Sequence, residues 1–294
     1  PAGDDAFMVK TAQKMYHEIS PETGEFIDFM IDHQLMDLQN KPGKASTGYM
    51  TYLPSLKAPF VFSCFNHTIF DMQVLTHELG HAFAGYMAMR SQPISDYYSE
   101  STDIAEIHSM SMEQFAYPYA EWFFGDQADK FRFAHLQEVL TFVPFGVAVD
   151  EFQHICYAHP ELTPKERTHQ WHLLEEKYMP WRRYNNDAFM ERGGYWYHKL
   201  HIYLYPFYYI NYTLTTMGAM EFKKKYAENK QATWQDYLNL CKTGGSRSYL
   251  ETLRYADLSD PFEAGSVERA CGYAAKILLE QIAEQNVAEG THQA

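Results

Sequence analysis

Cysteine is scarce in this 294-residue chain: Cys64, Cys156, Cys241 and Cys271 are the only four. They are widely scattered with no Cys-x-x-Cys pair, which removes a thiolate metal cluster, a dithiol redox couple and a disulfide framework from consideration. Free thiols fit a reducing compartment, so a cytoplasmic location is expected. Long apolar runs are also missing. No stretch approaches the roughly 18 residues of a membrane span, and no signal-peptide pattern opens the chain. Basic charge is short as well: 24 Lys and Arg against 38 Asp and Glu leave 24 − 38 = −14. That balance argues against nucleic acid and against anionic membranes as partners. No internal repeat or low-complexity tract is found, and nothing in the sequence sets an oligomeric state. The first residue is Pro1, not Met, which reads as a fragment or processed product. The length allows one large domain or two tightly joined lobes.

What the chain has in abundance is histidine, 14 in all, and aromatic residues at 16%. The informative stretch is Val74-Leu75-Thr76-His77-Glu78-Leu79-Gly80-His81-Ala82-Phe83. Positions four apart share a helix face, so His77 and His81 can bring two imidazoles to one zinc ion. Glu78, between them, is placed to take a proton from a zinc-bound water. A catalytic zinc of this type needs a carboxylate from another element and leaves a fourth position for water. The metzincin alternative is excluded, because Ala84 and Met87 occupy the places of its glycine and third histidine. A second helix, expected from about Asp103 to Phe123, carries Glu106, Glu113 and Glu121, with Glu100 just ahead. Glu106 is the expected third ligand. Glu113, two turns further along the same face, is expected to accept the free N–H of a ligand histidine. His108 reads as a packed or outer-sphere histidine. His135, His154, His159, His169 and His172 have no zinc-ligand partner at a useful spacing and read as structural.

A third concentration lies further on: His198, His201, Tyr203, Tyr205, Tyr208, Tyr209 and Tyr212 within fifteen positions. Buried phenols each need a hydrogen-bond partner, which makes this density hard to explain as core alone. Tyr205, Tyr208 (or Tyr209) and Tyr212 follow helical spacing, which would line their hydroxyls along one face of a helix expected over 203–226. Further helices are expected over 6–19, from Ser20-Pro21-Glu22 to about Leu38, and over 127–158, 164–178, 188–197, 233–241 and 267–288. Gly48 to Phe65 reads as short β segments. The pairs Gly193-Gly194 and Gly244-Gly245 read as turns with left-handed backbone. The whole is mostly α-helical with one small sheet.

The segments Gly48-Tyr49-Met50, Ala58-Pro59-Phe60-Val61-Phe62, Phe65-Asn66-His67-Thr68 and His77-Glu78-Leu79-Gly80-His81, with Ile104-Ala105-Glu106 through Met112-Glu113, resemble the zinc oligopeptidases of the oligoendopeptidase F type, relatives of thimet oligopeptidase. The resemblance runs from about Gly43 to Glu280. It implies a zincin-type helical catalytic domain spanning 1–294, with His77, His81 and Glu106 as zinc ligands and Glu113 as their outer partner. It also implies that Glu78 acts as base and that the edge beside the metal helix pairs with an extended oligopeptide substrate. By the same resemblance His201 with Tyr208 or Tyr212 would face the scissile carbonyl, and Tyr205, Tyr209 and His198 would contact substrate. Such proteins usually carry a further N-terminal helical half, which this sequence lacks. The alternatives are a non-catalytic lobe with the metal as a staple, or a peptidyl-dipeptidase on the same site.

Overall fold

The computed structural model describes residues 2–292. It is mostly helical, with three short strands, and forms two compact units: residues 1–137 with 217–294, and residues 138–216.

The first unit begins with α1 (Asp5–Ile19) and α2 (Pro21–Asp32). Ser20 and Thr23 form a reciprocal capping box at the start of α2, and Pro21 sits at its first turn, where a missing N–H costs nothing. α2 stops short of the expected Leu38. Gln34 takes a left-handed φ of 54° and Leu35 N–H returns to the Met30 carbonyl at 2.9 Å, a closure that ends the helix. The chain then enters β1 (Met36–Asp37), β2 (Tyr49–Leu53) and β3 (Ala58–Phe62), in the order β1-β3-β2. β1 runs parallel and β2 antiparallel to β3. β2 is therefore an edge strand.

After the sheet comes α3 (Phe70–Ser91), in which 14 of 22 residues are buried. A helix covered on this many sides is a core element, and no apolar stripe marks it in the sequence. It packs against α4 (Thr102–Phe115), against β2 and β3, and against α10 (Lys230–Thr243). At Gly80 a Cβ would lie 2.7 Å from Ser109 Cα and 3.1 Å from the His108 carbonyl oxygen. Only a hydrogen side chain allows α4 this close. α4 ends eight residues before the expected Phe123. Pro118 cannot continue the hydrogen-bond ladder, so the chain passes through a 3-10 turn into the short α5 (Ala120–Phe124). The unit is completed by the start of α6 (Ala128–Ala158), most of α9 (Ile210–Glu228), α11 (Tyr249–Tyr255) and α12 (Ser266–His292). Its core includes Phe26, Phe83, Phe115, Phe222 and Tyr237.

The second unit holds the rest of α6, α7 (Pro164–Tyr178) and α8 (Leu200–Leu204), packed around Phe145, Phe152, Trp171, Trp196 and Tyr209. The helix expected over 188–197 is absent. Asn185 and Asn186 are left-handed, Asp187 caps a turn through the N–H groups of Phe189 and Met190, and Gly193 turns at φ 95°. Residues 194–198 form a 3-10 helix only. Of the two glycine pairs expected to be left-handed, only the first member of each has a positive φ: Gly193 is left-handed at φ 95° and ψ 29°, Gly244 has φ 49° with an extended ψ of −139°, and Gly194 and Gly245 do not share the expected backbone.

Candidate metal centre

The close crossing of α3 and α4 builds the site. His77 and His81, one turn apart on α3, present rings 4.9 Å apart. Glu106, in the second turn of α4, places Oε2 at 3.0 Å from His77 Nε2 and 3.3 Å from His81 Nε2. The three ligand atoms lie within 4.8 Å of one another, the spacing a single metal ion needs, and no other such group of three occurs among the described residues. Burial alone would raise the Glu106 carboxyl, but hydrogen bonds and charge from the two imidazoles hold it well below the usual carboxylate range. Burial likewise opposes a charged His77, yet Glu106 and Glu113 raise it well above its ordinary value. The pocket therefore favours positive charge, which a divalent cation would supply. Two imidazoles and a carboxylate form a donor set suited to zinc.

Glu78 is buried, and burial raises its carboxyl above the ordinary value despite the nearby imidazoles. Its Oε2 finds no hydrogen-bond partner among the described residues. Its Oε1 faces Gly48, where a Cβ would stand 2.8 Å away. Gly48 immediately precedes β2, so the edge strand starts beside this carboxylate.

Behind the ligands, His77 Nδ1 lies 2.6 Å from Glu113 Oε1, the partnership expected from the helix spacing. Beyond Glu113 the contacts continue onto residues that no spacing in the sequence connects with the site. Glu113 Oε2 lies 2.6 Å from His135 Nε2, and His135 Nδ1 is 2.6 Å from the Tyr117 hydroxyl. His135 reads as structural from sequence because it sits on α6, with no periodicity relating it to α3 or α4. His108 points elsewhere: its Nδ1 lies 3.1 Å from Glu100 Oε1, and its carbonyl accepts from the Tyr237 hydroxyl. Burial would raise Glu100, but the His108 imidazole outweighs it and lowers the carboxyl.

His198, His201 and the tyrosines at 203–212 all belong to the second unit. The single helix expected over 203–226 is broken between α8 and α9, and the tyrosines do not share a helix face. Pro206 cannot donate to the ladder and forces Tyr205 out of helical geometry. Phe207 then turns through φ 60°, with its N–H on Gln153 Oε1 at 2.8 Å. The rings nevertheless gather around His201, at centroid distances of 5.1 Å for Tyr209, 6.0 Å for Tyr212, 6.1 Å for Tyr208 and 6.2 Å for Tyr205. Burial lowers the His201 imidazole, with Lys199 adding to it. Tyr209 is buried in the unit's core, and burial pushes its phenol up to about 12. Tyr205 is exposed, and Tyr208 and Tyr212 are half-buried. His198 turns Nδ1 onto the Tyr195 carbonyl of its own turn.

Among the described residues no helix is long and apolar enough to cross a membrane. In sequence the chain is 25% identical over 229 residues to the oligoendopeptidase F homolog of Borreliella burgdorferi, covering 76% of this chain and 38% of that protein. It is 22% identical over 252 residues to oligopeptidase PepF of Bacillus subtilis, covering 82% and 36%. The solved structure of PZ peptidase A with inhibitor 2 superposes with a TM-score of 0.88 at 48% identity, over 95% of this chain and 50% of that one. The chain thus spans half or less of the length of these relatives. Residues 9–272 match the profile of peptidase family M3, and with the His77-His81-Glu106 group in place the chain belongs to that family of metallopeptidases.

Proposed function

We propose that this chain is the catalytic part of a zinc-dependent endopeptidase that hydrolyses oligopeptides, with His77, His81 and Glu106 holding the metal. The observation that carries this reading is the unpartnered Oε2 of Glu78 beside a set of three ligand atoms. A structural zinc is normally closed by four protein ligands, whereas a catalytic one keeps a position open. When bound, zinc would activate a water molecule and polarise the scissile carbonyl. Glu78 takes the proton from the water at Oε2 and hands it to the leaving amine. The raised carboxyl of Glu78 suits both roles, because a base poised nearer the working pH both accepts and returns a proton. Burial of the site strengthens each of these charge interactions. The free edge of β2, which starts beside the Glu78 carboxylate, offers main-chain groups to an extended peptide. His201, with Tyr208 or Tyr212, is the candidate donor set for the developing oxyanion, and Tyr205, Tyr209 and His198 are candidate substrate contacts. The names of the relatives, oligoendopeptidase and oligopeptidase, support short peptides as substrates.

The test joins metal analysis with cleavage of a mixed-length peptide library. One zinc per chain is expected, with zinc lost in His77→Ala, His81→Ala and Glu106→Ala. Glu78→Gln should keep the zinc and the fold while hydrolysis falls by at least about 10² to 10⁴-fold. Retention of zinc by Glu106→Ala, or activity of Glu78→Gln within a few-fold of the parent, would reject these assignments.

A further inference from the structure

The buried chain of contacts behind His77 passes through a histidine that the zinc chemistry does not require. We propose that His135 is a positioning residue of the metal centre, orienting the Glu113 carboxylate and through it the His77 ring. The proposal rests on the reading of His77, His81 and Glu106 as metal ligands.

With His77 and His135 neutral, the contacts give one consistent placing of protons. His77 faces Glu106 through Nε2, at 3.0 Å, so Nε2 is its ligand atom and Nδ1 carries the hydrogen given to Glu113 Oε1. The second oxygen of Glu113 is 2.6 Å from His135 Nε2, a charge contact whose N–H is not aligned as a hydrogen bond; a bare nitrogen lone pair would be repelled by a carboxylate at this distance, so Nε2 carries the hydrogen. His135 Nδ1 is then the acceptor, and the Tyr117 O–H donates to it at 2.6 Å. Tyr117 is itself held: its carbonyl accepts from Arg132 Nε and Nη2 at 3.1 and 2.9 Å, and Lys223 Nζ lies 3.6 Å above its ring. The His135 ring stacks on Phe131 at 5.7 Å.

Burial decides what this arrangement is worth. Glu113, His135 and Tyr117 are 7%, 3% and 8% exposed, so water can replace little of what any one of them loses. A carboxylate with only His77 to satisfy could rotate and carry the imidazole with it. With the His135 ring in charge contact with the opposite oxygen, each oxygen faces an imidazole and rotation of the carboxylate would break one of the two contacts. Outer-sphere partners of this kind typically govern 10 to 100-fold in metal affinity.

Zinc affinity, measured by chelator competition on the full chain, tests the proposal with three substitutions at His135. In His135→Gln the amide N–H₂ reaches the place of Nε2 and can still donate to Glu113. In His135→Asn the shorter amide reaches only the place of Nδ1, facing Tyr117. His135→Phe fills the volume, keeps the stack on Phe131 and donates nothing. The expected order is a loss of less than about five-fold for Gln, and about 10 to 100-fold for both Asn and Phe. Melting of the metal-free proteins reports packing separately. Should Phe fail to fold, the Gln and Asn pair alone decides. Equal zinc affinity in Gln and Asn, or losses that follow side-chain volume with Phe near the parent, would overturn the role of His135 while leaving the metal reading intact. Failure of the parent to bind zinc would overturn both.

Discussion

At the scale of single residues the site depends as much on what is missing as on what is present. Gly48 has no side chain where the Glu78 carboxylate needs space, and an added methyl carbon would stand 2.8 Å from Oε1. Gly48→Ala should therefore swing the Glu78 head group without touching any metal ligand. Zinc affinity should stay within a few-fold of the parent while kcat falls by about 10-fold or more, since displacement of a catalytic group by a fraction of an ångström is costly. A fall in zinc affinity equal to the fall in kcat would show instead that the strand itself had moved. The tyrosines invite a second comparison. Tyr208→Phe and Tyr212→Phe remove one hydroxyl each and leave the ring contacts to His201 in place. If either is the oxyanion donor, its loss should appear in kcat, about 10² to 10³-fold, with KM little altered. Tyr209→Phe, in the core of its unit, should act on stability more than on kcat. Four Phe variants, at 205, 208, 209 and 212, all within a few-fold of parent kcat would reject the oxyanion assignment.

At the scale of elements, the parts of the site legible in the sequence are those written within one helix. His77, Glu78 and His81 declare their shared face by spacing, and the seven-residue step from Glu106 to Glu113 does the same on α4. Both relations stand in the structure. Which helices lie against one another is not legible: His135 meets Glu113 across a helix crossing, and no periodicity records it. The overlong helices have a different cause. Pro118 and Pro206 lie inside apolar patterns that continue past them at helical spacing, although each lacks the N–H and restricts the residue before it. The left-handed Gln34 that ends α2 carries no comparable signal, since a glutamine is an uncommon choice there. The crossing of α3 and α4 can be tested directly. In Gly80→Ala the new Cβ meets backbone, Ser109 Cα and the His108 carbonyl, and backbone cannot step aside as a flexible side chain would. The helices must separate, at a cost of about 1 to 3 kcal/mol in urea denaturation, and Glu106 must move away from the histidines. Zinc affinity should fall together with stability; a variant that loses stability and keeps full zinc affinity would show that the crossing does not set the ligand distance.

At the scale of the whole molecule, one half-buried cation should leave its mark on stability. Lys223 sits on α9 above the Tyr117 ring, and burial, reinforced by the Arg132 charge, lowers its ammonium to about 7 from an ordinary 10.5. The ring face offsets part of the desolvation without supplying a counter-charge. Below about pH 7 the group is protonated in both folded and unfolded chains, and the folded state bears the full penalty of a partly desolvated cation. Between about 7 and 10.5 the unfolded chain binds more protons than the folded one, so this contribution to stability improves as pH rises. Above both values the penalty is gone. Lys223→Met keeps the length of the side chain and removes the charge. The variant should be more stable than the parent at about pH 6, and the gap should close by on the order of 2 kcal/mol between about pH 7 and 9. Other titrating groups, the metal ligands included, are common to both proteins and cancel in the difference, provided both are measured with the same zinc occupancy. Urea midpoints at several pH values supply the measurement. A gap that stays constant across that range would mean that Lys223 keeps its proton when folded, its charge satisfied at the Tyr117 face.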